Sequence, residues 1–208
     1  KIKKLFPASA VDFEPCGGYE CFSGALHNIQ KMKEEVAMLN KLFEPITRQP
    51  KTFEWCNDEL NKYGFKNFDA LIKNKAEGYL HSGKLAKALI HMLQQMNIDF
   101  LFGMEVLQWE EQEKGVILTT NKGIQLKAHQ VLFCLNAFTA SLLPELPVKP
   151  ARGQVLVTQP VKNLACKGGF HFNEGFYYFR NIGNCILLGG ARNKAVEEET
   201  TTEFSTTN

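Results

Sequence analysis

Between residues 104 and 128 three segments of strand length follow one another, 104–109, 116–120 and 124–128, parted only by the polar stretch 110–115 and by Asn121-Lys122-Gly123. Apolar and polar side chains alternate along them, as in strands with one wet face, so this part of the chain is expected to form an antiparallel meander. The flanking segments differ. Residues 98–102 and 131–135 are nearly continuous in apolar side chains, as strands buried on both faces are. Just before them, Leu85, Leu89, Ile90, Leu93 and Met96 recur at helical spacing behind His81 and Ser82, where an N-cap would stand, and Asn97 closes the run. The expected unit is a helix over 82–96 packed on a mixed sheet that holds 98–102 and 131–135, with the meander on the other side.

The two ends of the chain have a different texture. Residues 11–14 and 19–23 read as short strands around Pro15-Cys16-Gly17-Gly18, whose glycines permit the positive φ of a tight reversal, and predict a hairpin. Leu26, Ile29, Met32, Val36, Leu39 and Leu42 then mark an amphipathic helix that ends before Pro45, with Met32 and Met38 as core filling. Asn57 is placed to cap a short helix over 60–63, with Gly64 as its stop, and 65–75 reads as loop with one strand. Beyond Pro144 and Pro147 come four strand-like segments, 154–159, 169–172, 176–180 and 185–189, the last three separated by turns at 173–175 and 181–184. They predict an antiparallel sheet to which the N-terminal strands add, so that the middle of the chain belongs to another lobe.

Composition narrows the partners. With Lys+Arg 24 against Asp+Glu 22, scattered rather than blocked, there is no electrostatic footprint for nucleic acid or an anionic membrane surface. No apolar run approaches the about 20 residues of a spanning helix. The opening Lys1-Ile2-Lys3-Lys4-Leu5-Phe6-Pro7 lacks the apolar core of a signal peptide, so secretion is not expected and the cytoplasm is the default compartment. The chain starts without Met and stops at Phe204-Ser205-Thr206-Thr207-Asn208, which reads as a piece of something longer. The cysteines show no CxxC pair and the five histidines no HxH or HExxH, which supports reduced thiols and neither a metal site nor a hydrolytic triad. A Cys16–Cys21 disulfide is the alternative for the thiols and would need an oxidising compartment.

Several local patterns carry a family resemblance. Gly78-Tyr79-Leu80-His81-Ser82-Gly83-Lys84-Leu85, the segment Val116-Ile117-Leu118-Thr119-Thr120-Asn121-Lys122-Gly123, Pro150-Ala151-Arg152-Gly153-Gln154-Val155-Leu156, and Tyr177-Tyr178-Phe179-Arg180 with Leu188-Gly189-Gly190 stand in the order of a known scaffold. Together they resemble the middle portion of the FAD-dependent oxidoreductases that include D-amino-acid oxidase, glycine oxidase and sarcosine oxidase. The resemblance implies an α+β fold with an antiparallel or mixed sheet as substrate lobe, residues 1–75 and 148–208. A partial FAD-binding lobe, 76–147, would hold the helix, the mixed sheet and the meander. It implies a parent that oxidises the C–N bond of an amino acid or amine, with FAD as cofactor and no catalytic acid or base assigned here. The Gly-x-Gly-x-x-Gly turn that would seat the pyrophosphate has no counterpart in the sequence, so this chain alone is expected to bind FAD weakly or not at all. Val106 would contact the adenine through its backbone, and Asn136 and Ala137 would lie at a loop beside the cofactor, with alanine where relatives carry glycine. Tyr178 and Arg180, two apart on one strand, would hold a substrate carboxylate. A non-catalytic binding module on the same scaffold, or oxidation of a 2-hydroxy acid or of glycerol phosphate, are the alternatives.

Overall fold

The computed structural model describes residues 2–24 and 28–206. The chain divides into two compact units, Lys1–Met92 with Gly153–Lys194, and Leu93–Arg152 with Ala195–Asn208. In chain order the first unit contains α1 (Ile2–Leu5), α2 (Ala8–Val11), β1 (Gly18–Phe22), α3 (Ile29–Thr47), β2 (Phe53–Trp55), α4 (Glu59–Tyr63), β3 (Ala70–Asn74) and most of α5 (Ser82–Gln95). The second unit holds β4 (Val106–Gln112), β5 (Gly115–Thr120), β6 (Gln125–Ala128), a 3-10 turn at Asn136–Phe138 and α6 (Thr139–Leu142). The chain returns to the first unit for β7 (Val155–Val157), β8 (Gly169–Phe172), β9 (Tyr177–Ile182), β10 (Cys185–Gly190) and a 3-10 turn at Arg192–Lys194.

The first unit is built on a seven-stranded sheet in the order β2-β3-β1-β8-β9-β10-β7. All its pairings are antiparallel except β1 with β8, where Gly18 to Cys21 run parallel to Gly169 to Phe172. Alternation along β1 sends Tyr19 and Cys21 to one face, where they meet Leu71, Phe170, Leu60 and Cys166 in the main core. The other face is covered by α3, whose Met32 and Val36 bury Ile72. The amide of Asn40 anchors that helix to the sheet edge: its Oδ1 accepts from Phe53 N at 2.8 Å and its Nδ2 donates to Phe53 O at 2.9 Å.

Several local expectations need correction. No 11–14/19–23 hairpin forms, because Val11 closes α2 on a left-handed Asp12 and Glu14 instead exchanges both backbone hydrogen bonds with Tyr79. The long helix does not stop before Pro45 but carries it internally and ends at Thr47. A proline costs its own N–H bond; here the last turn is held by Thr47 Oγ1 donating to Phe43 O and by Arg48 N donating to Glu44 O. Met38 is exposed rather than core, and Leu26 lies outside the described residues. Asn57 does not cap α4. Its side chain ties Asp69 O and Leu71 N, holding β3 in place, while Gly64 does terminate α4 with φ +74°.

In the second unit β4-β5-β6 form the expected meander. The segments 98–102 and 131–135 are not strands and share no sheet. A strand buried on both faces exists only when it has hydrogen-bonding neighbours and a covering layer. Among the described residues these segments pair with no strand, and Leu101, Phe102 and Leu132 are 57, 71 and 86 % exposed. For the same reason α5 covers no mixed sheet, and none of its residues is buried.

The six cysteines are free thiols of contrasting environment. Burial, with smaller contributions from Glu20 and Cys166, pushes the Cys21 thiol from an ordinary 9.0 to about 12, and burial pushes Cys166 to about 11. An aromatic disulfide reagent at mildly alkaline pH should therefore modify the exposed Cys134 rapidly and leave Cys21 and Cys166 untouched until denaturant is added. The sign for stability follows. Both folded values lie above 9.0, so the stabilisation is complete below pH 9.0 and is lost as pH rises towards about 12. Urea midpoints that stay constant across that window would contradict the assignment.

Candidate functional site

Strand β9 is flanked by β8 and β10, with His171 opposite Tyr178, Phe170 opposite Phe179 and Gly169 opposite Arg180. Phe179 stacks on Phe170 at 5.0 Å and Tyr177 on Phe172 at 4.7 Å, so both rings belong to the core face. By the period of two, Tyr178 and Arg180 share the opposite face. They part there in what they touch. Tyr178 lies across Gly189, where a Cβ would come within 2.5 Å of the phenol ring, so a larger residue there would push the tyrosine aside. Arg180 instead places its guanidinium 4.7 Å from the Tyr79 ring centroid, with Nη1 3.4 Å from Leu80 O.

Arg180 lines a cleft of about 460 Å³ with Asp12, Glu14, Tyr79, His81 and Lys167, while Tyr178 is not among its lining residues. Tyr79 is fixed by donating to Glu14 Oε2 at 2.7 Å, and burial together with that carboxylate raises its phenol to about 12. Asp12 is paired to Lys84 at 2.7 Å. The cleft thus combines a guanidinium and an ammonium with a carboxylate, a set able to take a zwitterion: acid group on Arg180, amine on Glu14.

A second, less polar cleft of about 270 Å³ opens over β7 and β10, lined by Tyr177, Leu156, Leu188, Gly189, Gly190 and Ala191 among others. Its floor is conformationally demanding. Gly190 has φ +116° and a Cβ there would collide with Phe176 O, and Ala191 holds φ +64° while donating to Phe176 O at 2.8 Å. Reading the strand for its polar pair Tyr178 and Arg180 missed Tyr177, whose register opposite Gly190 brings it here.

In the second unit Val106 opens β4 opposite Thr120, and a bulge between Val106 and Gln108 sets Leu107 outside the ladder. Asn136 adopts φ +48° at the head of the 3-10 turn, Ala137 is half-buried, and Thr139 Oγ1 donates to Asn136 O at 2.7 Å. This turn is tethered near β4, since Trp109 Nε1 donates to Leu142 O at 2.9 Å and its ring packs 5.4 Å from Phe133. A dinucleotide pyrophosphate needs N–H groups converging at a glycine-rich turn from strand to helix. Among the described residues no helix is entered that way.

Fold and site together define an α+β chain with a mixed seven-stranded sheet in one unit and a three-stranded antiparallel meander in the other. The sequence matches the family model of the FAD dependent oxidoreductases (DAO) over residues 2–207, and the chain belongs to that family. Its fold is similar to that of L-proline dehydrogenase from P. horikoshii, with TM-score 0.74 and 16% identity over 99% of this chain and 55% of that one. Iminodiacetate oxidase from Chelativorans sp. BNC1 superposes with TM-score 0.69 and 10% identity over 100% and 56%. Glycine oxidase from Geobacillus kaustophilus does so with TM-score 0.62 and 15% identity over 89% and 50%. The chain spans about half the length of these proteins. No curated protein matches it. Among the described residues no helix is long and apolar enough to cross a membrane.

Proposed function

We propose that the protein carrying this chain oxidises the C–N bond of an amino acid or amine with FAD as cofactor. The observation that carries this reading is the match of nearly the whole chain to the FAD-dependent family; the names of the fold neighbours, a proline dehydrogenase, a glycine oxidase and an iminodiacetate oxidase, favour an amino-acid substrate. In this reading the seven-stranded unit is the substrate side and the unit with the meander is part of the FAD side. Val106, Asn136 and Ala137 contribute backbone contacts to the cofactor. This chain alone holds FAD weakly or not at all. Arg180 takes the substrate carboxylate in the cleft beside Tyr79, and Tyr178 shapes the same face of the sheet without lining that cleft.

The test uses the full-length parent loaded with FAD. Anaerobic addition of amino acids and secondary amines should bleach the visible flavin absorbance, and failure of the whole panel would remove the C–N reading. Arg180→Ala should then lower kcat/KM for a carboxylate substrate by about 10- to 100-fold, the loss of one charge-assisted hydrogen bond of about 1.5–3 kcal/mol. An unchanged kcat/KM in a folded variant would take Arg180 out of the substrate site and turn attention to Tyr177.

A further inference from the structure

The charges that line the cleft around Arg180 do not balance. Asp12 is committed to Lys84 at 2.7 Å, and Glu14 accepts from the Tyr79 hydroxyl at 2.7 Å. Tyr79 is held from a second side by the Asn181 amide, whose Oδ1 in turn accepts from Gly168 N at 3.0 Å. The guanidinium of Arg180 rests over that fixed ring, and its protein acceptor among the described residues is Leu80 O at 3.4 Å, which leaves most of its N–H donors open. Lys167 lines the same cleft, and among the described residues no ion pair joins it to a carboxylate. Two cations therefore face the cleft without an acidic partner.

We propose, on the reading that Arg180 receives the substrate carboxylate, that the cleft selects amino acids bearing a second acid group, which Lys167 takes. An amino acid with a neutral side chain would satisfy Arg180 and Glu14 and leave the ammonium of Lys167 facing the ligand without a counter-charge. A dicarboxylic one neutralises both cations. The two differ in what they impose. The planar fork of Arg180, seated on Tyr79, suits a bidentate carboxylate and fixes where the first acid group lies. Lys167 is exposed and stands two residues before Gly169, the cross-strand partner of Arg180, a rise of about 7 Å along a strand. Its ammonium ends a flexible four-carbon stem, so it supplies charge over a range of ligand lengths rather than one geometry. Glu14 attracts the amine and repels either acid group, so charge also sets which way round the ligand lies. The cleft, about 460 Å³, has room for the side chain between the two acid groups.

Glutamate and glutamine, alike in shape and different in the charge at the end of the side chain, are the probes, both enantiomers of each. They are titrated into the isotope-labelled full chain and followed by the amide resonances of residues 181–184, which line the cleft. Glutamate should bind about fivefold more tightly than glutamine, the upper end for an exposed ion pair. That preference should shrink as salt rises from about 10 mM to about 1 M, because an exposed pair is screened. Lys167→Gln should erase the preference, Lys167→Arg should keep it, and Arg180→Gln should weaken both ligands. An unaltered amide spectrum away from the cleft checks that each variant is folded. Equal affinity for the two probes, a preference that survives Lys167→Gln, or no binding of either probe would each overturn the proposal. None of these readouts depends on flavin, so bleaching of the parent's flavin by neutral amino acids would leave the C–N reading standing whichever of them is found.

Discussion

Replacing Phe170 by alanine is expected to destabilise the seven-stranded unit by about 3–5 kcal/mol, the range for removing a large aromatic from a core. Phe170 is fully buried on β8, stacked between Tyr19 at 4.8 Å and Phe179 at 5.0 Å, with Tyr63 and Phe65 edge-on at 5.2 and 5.0 Å. Its ring therefore joins β1, β8 and β9 to the segment around α4. Rings arranged edge-on and offset contribute beyond their buried area. The void left by alanine is walled by stacked rings on β-strands, which cannot collapse without shifting the ladder. A conservative Phe170→Leu should lose less, because it keeps most of the apolar volume. Urea unfolding followed by tyrosine fluorescence measures both, and a midpoint unmoved by Phe170→Ala would show that this aromatic cluster is not the core of the unit.

Loss of the Arg152 guanidinium should do comparable damage in the second unit. Arg152 Nε donates to Glu199 Oε2 at 2.7 Å, with the two side chains only 12 and 7 % exposed. Its other nitrogens reach Ser205 O at 2.5 Å and Glu198 O at 3.3 Å, and Arg152 N donates to Glu199 O at 2.8 Å. One side chain thus fastens residues 198–205. Arg152→Met takes the guanidinium away from the buried Glu199 carboxylate, and removing one partner of a buried pair costs about 3–5 kcal/mol. Arg152→Lys should rescue little, since a single ammonium cannot serve acceptors spread over the fork of a guanidinium. Arg152→Met with Glu199→Met should recover much of the loss, because it deletes both charges together. Limited proteolysis should report cleavage within 195–206 in Arg152→Met before any elsewhere. Equal resistance of wild type and variant would show that the ion pair does not hold this segment.

What was readable in advance follows the range of the forces involved. The alternation in Val116 to Thr120 needs only the period of the strand, and β5 appears there, at Gly115–Thr120. The stripe Leu85, Leu89, Ile90, Leu93 needs only the helical period, and α5 runs Ser82–Gln95. Gly64 marks a helix end because glycine takes a left-handed φ without steric cost. The site was legible only in part. Alternation placed Tyr178 and Arg180 on one face, but the residues that surround Arg180, namely Tyr79, Glu14 and Asp12, come from segments far away in sequence. The seat of Tyr177 opposite Gly190 depends on strand register, which no single strand encodes.

By itself, then, the sequence determined the local periods, the turn glycines and the patterns by which the chain resembles its family, because each of these is settled within a few neighbouring residues. The tertiary structure alone decided that β1 pairs in parallel with β8, that α3 continues through Pro45, and that 98–102 and 131–135 stay unpaired. Each of those outcomes turns on whether a distant segment supplies a backbone partner or an apolar cover, and an extended apolar run becomes a buried strand only where the rest of the fold completes both of its edges and both of its faces.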